Sequence, residues 1–88
     1  MGDGMKRAVL ATLCSRGPWA TTDAKGGGRE LTADQVCAFY AAIPDVPAMC
    51  RAVDCEKMTY RPADRAATLL KRVGLIRYNK AARQWERL

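Results

Sequence analysis

Eighty-eight residues with 15 Lys/Arg against 9 Asp/Glu, a net charge of +6, make one domain with no room for a second core. An apolar share of 49% is enough to build that core and argues against intrinsic disorder. No apolar run approaches the roughly 20 residues of a membrane span, and the absence of histidine removes the commonest general base.

The basic surplus favours polyanionic partners, nucleic acid before an anionic membrane surface. Six aromatics contribute to the apolar share, so the core is expected to be thin and helix-rich. No secretory signal is recognisable, and a cytoplasmic protein without membrane contact is expected. The opening Met1-Gly-Asp-Gly-Met-Lys6 fails the myristoylation pattern, because Lys6 stands where Ser or Thr is needed. Residues 1–4 are expected to be frayed. Cys14, Cys37, Cys50 and Cys55 include no CxxC pair, and a zinc site would need all four thiolates. A disulfide framework needs an oxidising compartment. The expectation is therefore four free thiols acting as small core residues, with no metal or other cofactor.

In chain order, residues 5–15 read as a first helix, with Val9 and Leu13 one turn apart. Gly17-Pro18 stops it, since proline biases the preceding residue away from helical geometry. Trp19-Ala-Thr-Thr22 reads as a short third strand beside a C-terminal hairpin, with Trp19 packed in the core. Residues 23–30 read as a flexible glycine-rich loop, and Lys25 and Arg29 suit an arm brushing a nucleic-acid backbone. The Gly-Lys-Ser/Thr spacing of a phosphate-binding P-loop is missing there.

Leu31-Thr-Ala-Asp-Gln-Val36 carries both signals of a helix start. Thr32 and Gln35 form a capping box, and Leu31 and Val36 are placed as a hydrophobic staple. The helix continues to Ala42 with Val36, Phe39, Tyr40 and Ile43 at core spacing, and Pro44 ends it. Asp45-Val-Pro47 opens another helix over residues 47–54, burying Met49, Cys50 and Val53.

The last third is the most informative stretch. Pro62 suits a first helical turn, and 100° steps place Ala63, Ala66, Leu69, Leu70 and Val73 on one side of a helix over residues 62–73. Asp64, Arg65, Thr68, Lys71 and Arg72 fall on the other. Gly74 stands where a C-cap needs left-handed backbone. Leu75–Tyr78 and residues 83–88 then flank Asn79-Lys-Ala-Ala82, which is hairpin grammar with a four-residue loop. Asn79 reads as a turn former, and Tyr78 and Trp85 as a pair buried across the hairpin. From Arg61 onward there are eight Lys/Arg against two acidic residues, a surplus equal to the whole net charge.

Leu69-Leu-Lys-Arg-Val-Gly-Leu-Ile-Arg77, followed by a turn and Gln84-Trp85, resembles the recognition helix and wing of winged helix-turn-helix proteins. The resemblance covers residues 61–88. It implies a mainly α fold with a small β-hairpin, an α+β winged helix of three to four helices plus a wing at residues 75–88. The 47–54 helix would then cross the DNA backbone, although its link to the next helix exceeds the usual three or four residues.

This arrangement implies non-catalytic duplex-DNA binding, with the 62–73 helix in the major groove. Arg61, Asp64, Arg65 and Thr68 are expected to reach bases; Lys71 and Arg72 are expected on phosphates; Arg77, Lys80 and Arg83 are expected to grip the backbone from the wing. A small transcriptional regulator, or an accessory protein of replication or recombination, is the expected role. The rival is a protein-interaction module on the same fold, a subunit or adaptor, with the 33–43 helix as a dimer face. A homodimer also suits the DNA reading, because symmetric half-sites add specificity. The scattered carboxylates Asp34, Asp45, Asp54, Glu56 and Asp64 and the unactivated cysteines form no catalytic constellation, so no enzyme is expected.

Overall fold

The computed structural model describes residues 2–22 and 28–88. Among them the elements run α1 (Gly2–Cys14), β1 (Trp19–Thr22), β2 (Gly28–Leu31), α2 (Ala33–Ala42), α3 (Val46–Ala52), α4 (Arg61–Arg72), β3 (Ile76–Asn79) and β4 (Gln84–Arg87). β1 pairs only with β2 and β3 only with β4, giving an α+β domain of four helices and two antiparallel hairpins among the described residues.

The capping box forms as its residues require. The Thr32 hydroxyl accepts from the Gln35 N–H at 3.1 Å, and the Gln35 side chain accepts from the Thr32 N–H at 2.9 Å. Leu31 and Val36 are both fully buried at the staple positions. α2 continues the core through Phe39 and Ile43, with Tyr40 half-buried beside them. Burial of each such large side chain stabilises by roughly 1.5–3 kcal/mol. Val36, Phe39 and Ile43 are thus used within the domain's own core, while Tyr40 keeps part of its surface exposed. Asp45 caps α3 by accepting from the Ala48 N–H at 3.3 Å, and Met49, Cys50 and Val53 are core, as their spacing suggested.

α3 and α4 end in the same way. The Leu75 N–H reaches the Leu70 carbonyl at 3.0 Å and the Gly74 N–H reaches that of Lys71 at 3.0 Å, with Gly74 at φ +80. This is a Schellman cap, sealed by buried Leu70 and Leu75. At α3, the Cys55 N–H meets the Cys50 carbonyl at 2.8 Å and the Asp54 N–H meets that of Arg51 at 3.2 Å. There the left-handed residue is Asp54, at φ +55, which the sequence pattern did not flag.

Several expectations need correction. α1 begins at Gly2 and includes residues expected to be frayed; Met1 lies outside the described residues. β1 pairs with β2, in register Trp19↔Leu31 through Thr22↔Gly28, and not with the C-terminal hairpin. A nearby antiparallel partner closes a shorter loop than a strand some fifty residues on, at less entropic cost. Residues 28–30 are thus strand; residues 23–27, including Lys25 and the first two glycines, lie outside the described residues. Trp19 does pack half-buried against the core.

Cys14 and Cys37 form a disulfide, with Cα atoms 6.2 Å apart, where free thiols were expected. Packing of α1 on α2 brings together two residues that sequence spacing leaves unrelated. Cys50 and Cys55 remain free, so a four-thiolate set does not form.

Val73 is 40% exposed instead of lying in the core, because α4 ends at Arg72 and Val73 is already its cap. Pro62 and Ala67 are buried in addition to the expected alanines and leucines. The second hairpin has its loop at residues 80–83, one position later than expected. The Asn79 carbonyl oxygen of the side chain accepts from the Ala82 N–H at 3.0 Å, and Arg83 takes the left-handed position at φ +55. Asn79 therefore joins β3 opposite Gln84.

Candidate nucleic-acid interface

α4 is divided lengthwise. Pro62, Ala63, Ala66, Ala67, Leu69 and Leu70 are buried, while Arg61, Asp64, Lys71 and Arg72 are exposed and Arg65 and Thr68 half-exposed. Steps of 100° confine the last six to an arc of about 120°. The helix thus brings together on one face all six of its sequence-predicted site residues. Tyr60 is the N-cap and makes no side-chain cap bond, so the first turn depends on other acceptors.

β1 borders the N-terminal half of this face. Ala20, Thr21 and Thr22 with Arg61, Asp64, Arg65 and Thr68 line an open groove of about 610 Å³. The Thr21 hydroxyl donates to the Arg29 carbonyl at 3.0 Å, across the hairpin. Arg65 Nε is buried and has no hydrogen-bond partner among the described residues. The residues expected to reach bases therefore stand in a groove with a strand wall.

The hairpin residues divide differently. Arg77 Nε donates to Glu86 Oε1 at 2.9 Å, directly across the register. Asn79 Nδ2 donates to Glu86 Oε2 at 2.8 Å, and this bond, followed by that of Arg77, holds the Glu86 carboxyl below its ordinary value. Arg77 is therefore engaged within its own hairpin, and its ion pair is the one found among the described residues. Lys80 and Arg83 stand exposed at the loop. Tyr78 and Trp85 meet edge to face at 5.3 Å; Trp85 is half-buried against the core, whereas Tyr78 is 45% exposed, so the burial expected of the pair holds on the Trp85 side alone.

Two arginines hold the fold, and for Arg29 this corrects the expectation of an arm lying on a nucleic-acid backbone, because its guanidinium is used on carbonyls of the domain itself. Arg29 Nη2 donates to the carbonyls of Val53 and, at 3.3 Å, Asp54, docking the first hairpin on the end of α3. Arg87 lies over the Tyr40 ring at 5.9 Å and donates to the Ala41 carbonyl at 3.3 Å, docking the second hairpin on α2. The only sequence signal for Arg29 is its place two residues before buried Leu31, on the same strand face. Burial pushes the Cys55 thiol up, against a smaller lowering by the Ala63 backbone N–H and Arg29. That direction suits a thiol held in its unreactive form.

No helix of the described residues is long and apolar enough to cross a membrane. No protein-family model, curated protein or solved structure matches the chain at a significant level.

Proposed function

We propose that this protein binds duplex DNA without catalysis, as a small transcriptional regulator or an accessory protein of replication or recombination. In this reading the domain is a winged helix in the cytoplasm, α4 enters the major groove, and β3–β4 is the wing. The order α2, α3, α4, hairpin supports it. The observation that carries it is the lengthwise division of α4: one side is core, and the other presents Arg61, Arg65, Lys71 and Arg72 against Asp64 alone. A helix with that polarity has its apolar side satisfied and its cationic side available to phosphates.

The test is fluorescence anisotropy with a random-sequence duplex, comparing wild type with Lys71→Ala/Arg72→Ala/Lys80→Ala. All three side chains are exposed, so folding should survive. With about six phosphate contacts, affinity should fall roughly 10³-fold between 50 and 200 mM salt, and each lost cation should reduce the salt slope by about one. Absence of binding at low salt, or an unchanged slope in the variant, would overturn the reading. One feature favours the rival reading of a protein-interaction module. Exposed Val73 borders an open cleft of about 250 Å³ with Ala8, Val9, Thr12, Leu13 and Arg16. A partner seated there would be lost on Val73→Asp, which DNA binding should not feel.

A further inference from the structure

The tip of the second hairpin combines an exposed ring with two cations. Tyr78 and Trp85 face each other across the β3–β4 register, and their edge-to-face contact occupies at most one face of either ring. Trp85 packs half-buried on the core, so Tyr78 is held by an anchored neighbour and still offers π-surface to solvent. Two residues of strand span about 7 Å. Lys80 and Arg83, each two positions beyond one of the rings, therefore bring a cation within side-chain reach of Tyr78. Both are exposed, and neither has an ion-pair partner among the described residues. The one acidic side chain of the hairpin, Glu86, is engaged by Arg77 and Asn79 on the opposite face. Arg83 also holds the left-handed loop position at φ +55, where glycine or asparagine would be less strained. A charged side chain kept in such a conformation is a pointer to use. An exposed tyrosine alone is ordinary surface. A ring braced by a second ring and flanked by unpaired cations is what an unpaired base requires, one part for its π-face and the other for its phosphates.

We propose that the β3–β4 tip is a stacking platform for one unpaired base of a single-stranded nucleic acid, with Tyr78 against the base and Lys80 and Arg83 on the flanking phosphates. Every base has a π-face, so the contact is indifferent to sequence. A base inside a duplex has both faces covered by its neighbours, and the platform therefore discriminates against uninterrupted duplex. The platform does not need the duplex reading. Where that reading also holds, and resting on it, α4 takes the paired part of a nucleic acid and the tip takes the strand that leaves it. A role in replication or recombination then gains over transcriptional control.

The Tyr78 ring protons, identified by their loss in Tyr78→Phe, report directly on the contact in a ¹H spectrum. They are followed during titration with a single strand of about ten adenine and cytosine nucleotides, which cannot pair with itself, and separately with a blunt-ended duplex. Stacking should move them upfield and saturably with the single strand. By fluorescence anisotropy, Tyr78→Ala should weaken single-strand binding roughly tenfold, and Tyr78→Phe should retain it. The shift is read on the wild-type protein, so a Tyr78→Ala that disturbs the hairpin does not decide the matter. Single-strand binding that leaves the Tyr78 protons unmoved is phosphate contact only and overturns the platform. No single-strand binding also overturns it; a duplex that binds through Lys71 and Arg72 then leaves the duplex reading standing alone. If the single strand shifts Tyr78 and the blunt duplex does not bind, the platform stands and the duplex reading falls. Binding of neither removes both.

Discussion

The two hairpins are each built from two four-residue strands, yet they attach to the domain differently. The first uses Arg29, the basic residue of its described strands, inward: Arg29 donates to the carbonyls at the end of α3, and Leu31 is completely buried. It also lies within the covalent loop closed by Cys14 and Cys37. The second buries Ile76 at its base, anchors through Arg87 on α2, and sends Lys80 and Arg83 to an exposed tip. Its internal order comes from the polar trio Arg77, Asn79 and Glu86 on the outer face. A hairpin whose cation satisfies backbone carbonyls is a structural wall. One whose cations are free at the tip is available for a polyanion.

Reducing the disulfide should break this contrast most strongly. A dithiol releases a loop spanning a sequence separation of 23, and stability should fall by roughly 3 kcal/mol. Hydrogen exchange should quicken in β1–β2 and α1 before it does in β3–β4. Equal loosening of both hairpins would remove the covalent part of the distinction.

Arg29→Met keeps much of the aliphatic stem and removes the bonds to the Val53 and Asp54 carbonyls. Urea unfolding should register a loss of about 1–3 kcal/mol, because those carbonyls accept from a charged donor. Arg77→Met, cut from an exposed pair, should cost under about 1 kcal/mol and so mark the difference between the two hairpins.

Arg83 holds a left-handed conformation at φ +55 without being glycine. Arg83→Gly should therefore stabilise by about 0.5–1 kcal/mol in thermal unfolding. The same variant should weaken duplex binding modestly, separating the residue's conformational burden from its charge. A destabilised Arg83→Gly would mean that the side chain has a structural task.

The smallest effect is that of acid on the second hairpin. Glu86 has a folded-state value below the ordinary 4.5, chiefly through the Asn79 amide and then Arg77. Its contribution is complete above the ordinary value and is lost as pH falls through the lower folded one. The protection of the β3–β4 amides, relative to intrinsic exchange at each pH, should fall over that acidic interval, and Glu86→Gln should flatten the response while leaving β1–β2 unchanged.

What could be read in the chain was local. Thr32 with Gln35, Asp45 with Pro47, and Gly74 after an amphipathic run each determine a helix end through contacts within a few residues, and all three are realised. The 100° spacing of Ala63, Ala66, Leu69 and Leu70 similarly determined which side of α4 is core, and so gathered its six polar candidates on one face. Val73 escaped that reading because periodicity does not say where a helix stops. Asp54 did so because an αL cap without glycine leaves no compositional mark.

The remaining features were decided by tertiary structure, since they join residues whose separation carries no signal. Cys14 meets Cys37 only because α1 packs on α2. Arg29 finds carbonyls 24 and 25 residues away only because β2 lies against the end of α3. The groove around Arg65 exists because β1 turns to β2 and leans on α4. Sequence determined which side of α4 is charged, because helical period and burial are properties of the segment itself; packing decided which charges face open solvent and which face a wall, because that depends on the neighbour.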